Sequence, residues 1–330
     1  MFKKSLTWLI PLALVFVALF VVWSNRYSIY DNFVLNSYSP NSDISQLSTA
    51  SGMNSSGSKL FYTTKPRISD KAEFATECKN DKEQTIVLGC FASVSVFGGL
   101  DVGNIYLYNV TDPRLAGVKE VTAAHEMLHA AYGRLSLAEK NKVDKLTAEA
   151  FARVNNPRIV EIVDNYRKQD PSVVPNELHS ILGTEVANLG PELEAYYQKY
   201  FADRSKVVSL SQNYEKVMNE YKDQVDKIDA DLSLRKAEID SLETKLNSQS
   251  NSLNESKKQL NEYLRTGQTA IYNQQVPNYN SEVNSYNLQL ASYRNLLDEY
   301  NQLVDKRNSI ATEQQTLIKG LDSRVNAINP

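Results

Sequence analysis

The stretch VTAAHEMLHAAY, residues 121–132, holds two of the three histidines in a chain of 330 residues. No proline or glycine interrupts it, and its apolar residues suit a helix. On a helix, positions four apart lie one turn apart on the same face. His125 and His129 can therefore point two imidazoles at one metal ion, with Glu126 directly after the first. Zinc accepts neutral imidazole nitrogen, and a catalytic zinc site uses three protein ligands plus a water. A carboxylate beside that water can accept its proton, which is the role open to Glu126. Ala123, Ala124, Ala130 and Ala131 flank the pair with small side chains that allow close packing in a core. The plainer reading is two ordinary histidines on a buried helix. The near absence of histidine elsewhere and the strand-rich segment ahead of the stretch favour the metal.

Upstream, Lys59–Thr63, Thr85–Leu88, Ala92–Phe97 and Asn104–Val110 have strand composition and predict a small sheet. Cys78 and Cys90 are the only cysteines. In an oxidising compartment they read as one local disulfide, and otherwise as two buried thiols. Residues 25–58 are rich in serine and asparagine and read as a spacer. Ahead of them, Leu6 to Trp23 is apolar apart from Thr7 and Pro11. As a helix this run spans roughly 27 Å, close to the thickness of a bilayer's hydrocarbon core. Bulky residues stand where a signal peptidase needs small ones, so residues 1–24 read as an uncleaved transmembrane anchor, with a removed signal sequence as the alternative. Lys3 and Lys4 place the N-terminus in the cytoplasm and the bulk of the chain outside it, at the cell surface or in the periplasm.

Downstream, residues 137–155, 157–168 and 176–188 read as helices, with another after Gly190-Pro191. Ser136 and Glu139 have the form of a capping box. From Val207 the apolar positions step by threes and fours through Leu210, Tyr214, Val217, Tyr221, Val225, Ile228 and onward to Tyr263. A break at RTGQTAIYNQQVPN contains Gly267 and Pro277, and the pattern resumes at Tyr279 and runs to Ile328. Residues 205–330 are expected to fold back as an antiparallel coiled-coil hairpin, a rod of roughly 75–85 Å that offers a surface to a protein partner. A net charge of −3, with 36 basic and 39 acidic residues, does not point to nucleic acid.

HEMLH on a helix, preceded by a small sheet ending in NIYLYNV, resembles the zincin metallopeptidases. The resemblance covers residues 59–204 and implies an α+β fold: a short sheet plus active-site helices, with a sheet edge that binds substrate backbone above the metal helix. It implies zinc (Zn2+) held by His125 and His129, Glu126 as general base, and a peptide or protein substrate. The metzincin continuation is not met, because Tyr132 and Gly133 follow without a third histidine at the needed place. Asn176-Glu177-Leu178-His179-Ser180 is similar to the segment carrying the third ligand in gluzincins, and Glu177 matches the ligand position. The family's aspartate four places on is replaced by Ile181, so another acid is expected to orient the histidines. Glu185 and His179 are rivals for the third ligand. His179, Tyr132, Tyr196, Tyr197 and Tyr200 are available as oxyanion donors. A second reading keeps the rod as an envelope scaffold and the zincin-like domain as a degenerate or purely structural part.

Overall fold

A computed structural model describes residues 9–78, 88–96 and 100–323. The apolar run forms α1 (Leu9–Ser24), and its side chains from Leu12 to Trp23 stand largely exposed. After Asn25 the chain bends by 59° into α2 (Arg26–Ser37). Among the described residues no single helix is long and apolar enough to cross a membrane, but this bent pair meets that requirement together.

The Ser/Asn-rich stretch is folded. It continues as α3 (Ser42–Ala50) and the start of α4 (Ser55–Thr63), each opened by an asparagine whose side-chain oxygen accepts backbone N–H groups of the first turn. Ile44, Leu47 and Met53 enter the main core. The composition conceals this, because serine and asparagine here serve as caps and helix-surface residues around a few apolar anchors. Lys59–Thr63, expected as a strand, lies within α4, where Leu60, Phe61 and Thr63 are buried. Asn54 starts a helix there, and a five-residue apolar run is too short for its periodicity to separate helix from strand.

The sheet has the order β1-β3-β2. It comprises β1 (Arg67–Ser69), β2 (Gly89–Val96) and β3 (Leu100–Tyr108). The expected strands at 92–97 and 104–110 correspond to β2 and β3, which pair antiparallel, while β1 runs parallel to β3. Most of the expected strand at 85–88 lies outside the described residues. Between β1 and β2, α5 (Lys71–Glu77) is capped by Asp70 and leads to Cys78, which is bonded to Cys90 of β2.

The histidine stretch forms α6 (Val118–Gly133), buried on most of its circumference through Val121, Ala123, Ala124, Met127, Leu128, Ala130 and Ala131. Then come α7 (Leu137–Phe151), opened by the Ser136–Glu139 capping box, α8 (Pro157–Gln169), α9 (Val174–Glu185) and α10 (Pro191–Tyr197). Close approach of α9 to α6 depends on Gly183. A Cβ there would lie 2.4 Å from Leu128 Cδ1 and 2.8 Å from the Tyr197 ring. The first residue of α11 (Arg204–Arg265) holds the other end of α9: Arg204 donates to the carbonyls of Leu182 and Val186 and pairs with Glu194. A cation at a helix C-terminus satisfies free carbonyls and opposes the helix dipole.

Met218–Thr316 forms a compact unit of its own, a helical hairpin of α11 and α12 (Thr269–Leu321). Tyr221 bonds Glu313, Asp229 pairs with Arg307, and Arg235 with Glu299, a set of contacts nested about Gly267 as antiparallel arms require. Ile228, Ile239, Leu246 and Leu260 are buried, and the expected second-arm positions from Tyr279 to Val304 are half-buried. The break is shorter than expected. Gly267 turns the chain at φ 71°, and Pro277 lies inside α12. Pro277 is exposed, so the carbonyl left without a donor one turn earlier can be hydrated.

Candidate metal centre

Two helices build the centre. α6 supplies His125 and His129 one turn apart, with ring centroids 4.7 Å from each other. α9 packs across α6 and supplies Glu177. His125 Nε2 lies 3.7 Å from Glu177 Oε2, and His129 Nε2 lies 3.7 Å from Glu177 Oε1. The three residues each offer a ligand atom, and these atoms all lie within 4.8 Å of one another, so they could hold a metal ion.

The separations suit that use. Ligand atoms about 2.1 Å from a tetrahedral zinc stand about 3.4 Å apart, and one ligand atom from each residue lies within 4.8 Å of the others here, so side-chain rotations of about an ångström would close the set. Glu177 Oε2 is buried without a hydrogen-bond partner, which is costly for a carboxylate unless a cation accompanies it. Burial works against ionisation of Glu177. The neighbouring His129 and His125, with the Tyr166 hydroxyl, outweigh it and hold the carboxyl below the ordinary glutamate value. His125 keeps 19% of its side chain exposed, so solvent reaches the edge of the site.

Orientation of His129 comes from a hydroxyl and not from the acid the sequence led us to expect. Ser180 Oγ lies 3.2 Å from His129 Nδ1. With a metal on Nε2, Nδ1 would carry the proton and donate it to Ser180. Ile181, where the gluzincin pattern has its aspartate, is buried with Ile159, Val163 and Leu178 in a separate apolar cluster. A carboxylate would be stranded there.

The rival ligands are engaged elsewhere. Glu185 Oε2 pairs with Arg158 at 2.5 Å and accepts from Tyr214 at 3.4 Å. His179 is fully buried, and its Nε2 lies 2.8 Å from Tyr196 Oη. Burial, reinforced by His129 and His125, depresses His179 to about 3, so it is neutral at physiological pH. The oxyanion role considered for His179 and the tyrosines finds no support in this packing. Tyr197 Oη donates to the His179 carbonyl at 2.6 Å, and Tyr132 Oη donates to Asp144 at 2.9 Å. The rings of Tyr132, Tyr196 and Tyr197 surround His179 at 5.4–5.6 Å. Tyr200 packs edge-on against Tyr196.

Glu126 is buried on α6 and faces the first residue of β2. A Cβ at Gly89 would lie 2.8 Å from Glu126 Cγ, 2.9 Å from its Oε1 and 2.5 Å from Thr122 Cγ2. The edge strand β2 thus passes directly over the acid that follows the first histidine. Sequence reasoning did not anticipate Gly89, Tyr166 or the role of Ser180. For Ser180 a signal existed, since it stands one helical turn after Glu177 and so shares its face. Tyr166 carries no such mark.

No family model matches the chain, and no curated protein or solved structure matches it either.

Proposed function

We propose that the protein is a membrane-anchored zinc metallopeptidase of gluzincin type, with its catalytic domain outside the cytoplasm. The observation that carries this reading is the convergence of His125, His129 and Glu177, with Glu126 next to His125 in sequence on the same helix. Three protein ligands leave a coordination place for solvent, as a hydrolytic site needs and a closed structural site does not. When bound, zinc supplies Lewis acidity and a water whose pKa falls toward about 7. Glu126 takes a proton from the attacking water and delivers it to the leaving amine. β2 is an edge strand among the described residues, and its outer edge, at the Gly89 that lies against Glu126, aligns the substrate backbone by strand addition.

Zinc fits the donor set better than a hard cation. Two imidazoles and one carboxylate are the ligands it favours, whereas calcium and magnesium take oxygen. The Cys78–Cys90 disulfide and the exposed apolar surface of α1 support placement outside the cytoplasm on a membrane tether. The hairpin of α11 and α12 presents a surface for a protein partner.

The test is Glu126→Gln in the full chain. The variant should retain stoichiometric zinc and lose hydrolysis of a peptide library, while a hydroxamate still binds the metal. Wild-type cleavage by that variant, or a wild type that binds no zinc, would overturn the assignment. Zinc that is bound but closed to hydroxamate would favour the scaffold reading.

A further inference from the structure

We infer that α2 is an interfacial helix, whose Ile29 and Phe33 insert into the headgroup layer of the bilayer that holds α1. This rests on the membrane-anchor reading and goes beyond it, because an anchor alone leaves open how the domain meets the lipid.

Ile29 and Phe33 stand four apart on α2, hence on one face, and are 53% and 75% exposed. The opposite face is docked: Val34 and Asp31 are buried, and Asp31 pairs with Arg134 at 2.9 Å. Arg134 caps the C-terminus of α6, and its guanidinium lies over the Tyr27 ring. The Tyr27 hydroxyl accepts from the Asp101 backbone N–H in β3 at 3.2 Å. α2 is therefore fixed to the domain through one side and presents two large apolar residues on the other.

The bend decides where those residues lie. With α1 upright, a helix leaving at 59° gains only about 0.8 Å of height per residue, from a rise of about 1.5 Å along its own axis. Counting from Asn25, Ile29 then sits about 3 Å and Phe33 about 6 Å above the point of exit. The headgroup layer is about 5–7 Å deep on each side of the hydrocarbon, so both residues remain within it. The exit itself carries interfacial chemistry. Trp23 is exposed, and the Arg26 guanidinium lies 4.7 Å from its ring centroid and 5.0 Å from that of Tyr27. Large apolar side chains such as Ile29 and Phe33, exposed on the outer face of this helix, gain by burial at the acyl boundary. Through Asp31 and Arg134, the same contact fixes the height of α6 above the membrane.

The test uses the full chain in vesicles of phosphatidylcholine and phosphatidylglycerol whose acyl chains are brominated near the headgroup. One variant carries Trp8→Phe alone, leaving Trp23 as reporter of the anchor. A second carries Trp8→Phe, Trp23→Phe and Phe33→Trp, and a third replaces Phe33→Trp by Ile29→Trp. Circular dichroism verifies that each is folded. The expected result is strong bromine quenching of Trp23 and of the indoles introduced at positions 33 and 29. Quenching of Trp23 without quenching at 33 and 29 would overturn the inference and leave the anchor standing. A blue-shifted but unquenched indole at 33 would mean that protein, such as a second copy of the chain, covers this face, and would also overturn it. No quenching at any position would refute the anchor together with the inference.

Discussion

Ser180 Oγ stands 3.2 Å from His129 Nδ1, and Ser180 lies one helical turn beyond Glu177. One helix thus provides both the carboxylate that faces the two imidazoles and a hydroxyl within hydrogen-bond reach of one of them. Ser180→Ala should leave the fold intact and weaken zinc affinity by about 10-fold or more, the usual effect of removing an outer partner of a ligating histidine. Chelator competition measures it. An unchanged affinity would show that Ser180 does not orient the ring.

Glu177→Ala and Glu185→Ala should part company. The first removes the carboxylate that faces both imidazoles, and zinc should be lost on dialysis while the helices persist by circular dichroism. The second breaks the pair with Arg158 and should keep zinc while lowering stability by about 1.5–3 kcal/mol, the range for hydrogen bonds to charged groups. Metal analysis with urea unfolding distinguishes them.

Gly89→Val places a side chain where only hydrogen fits, against Thr122 Cγ2 and Glu126 Cγ. The strand or the acid must shift. Zinc should stay bound while kcat/KM falls by about 100-fold, the scale of loss for a misplacement of about 1 Å. A variant with full activity would mean that Glu126 needs no fixed position under β2.

The ion pair of Glu194 with Arg204 predicts an acid-sensitive component of stability. Burial raises the Glu194 pKa, but hydrogen bonds from Arg204 and the Leu189 N–H outweigh it, so the folded value lies below the ordinary 4.5. As pH falls through 4.5 the unfolded state takes up a proton before the folded state does. The contribution is therefore complete above that pH and is lost as pH drops toward the folded value. Urea midpoints at pH 6 and pH 4 should differ less in Glu194→Gln than in wild type.

Reduction of Cys78–Cys90 opens a loop with a sequence separation of 12. Replacing both cysteines by serine should cost about 3 kcal/mol through the larger freedom of the unfolded chain. Because the bond ties α5 to β2, the same change should also loosen the strand beside Glu126. Hydrogen exchange at β2 and α5 reads both effects.

Several features follow from short-range patterns and could be read before any coordinates. The i, i+4 geometry of a helix puts His125 and His129 on one face wherever that helix lies. The capping box at Ser136, the heptad steps of α11 and α12, and the apolar run of α1 rest on spacings within a few turns. Glu177 was legible only by its likeness to a gluzincin segment, with Glu185 and His179 as rivals.

Other features depend on contacts between distant parts of the chain. Gly183 lets α9 approach α6, and that approach brings Glu177 to both imidazoles and Ser180 to one of them. Arg158 and Tyr196 occupy Glu185 and His179 and so remove them from the site. Ile44, Leu47 and Met53 convert a serine-rich stretch into part of the core, and Asn54 turns an apparent strand into α4. Local spacing determined which side chains share a face. Which faces meet was decided by packing, because close approach, burial and hydrogen-bond satisfaction depend on residues far apart in sequence and leave no periodic trace in it.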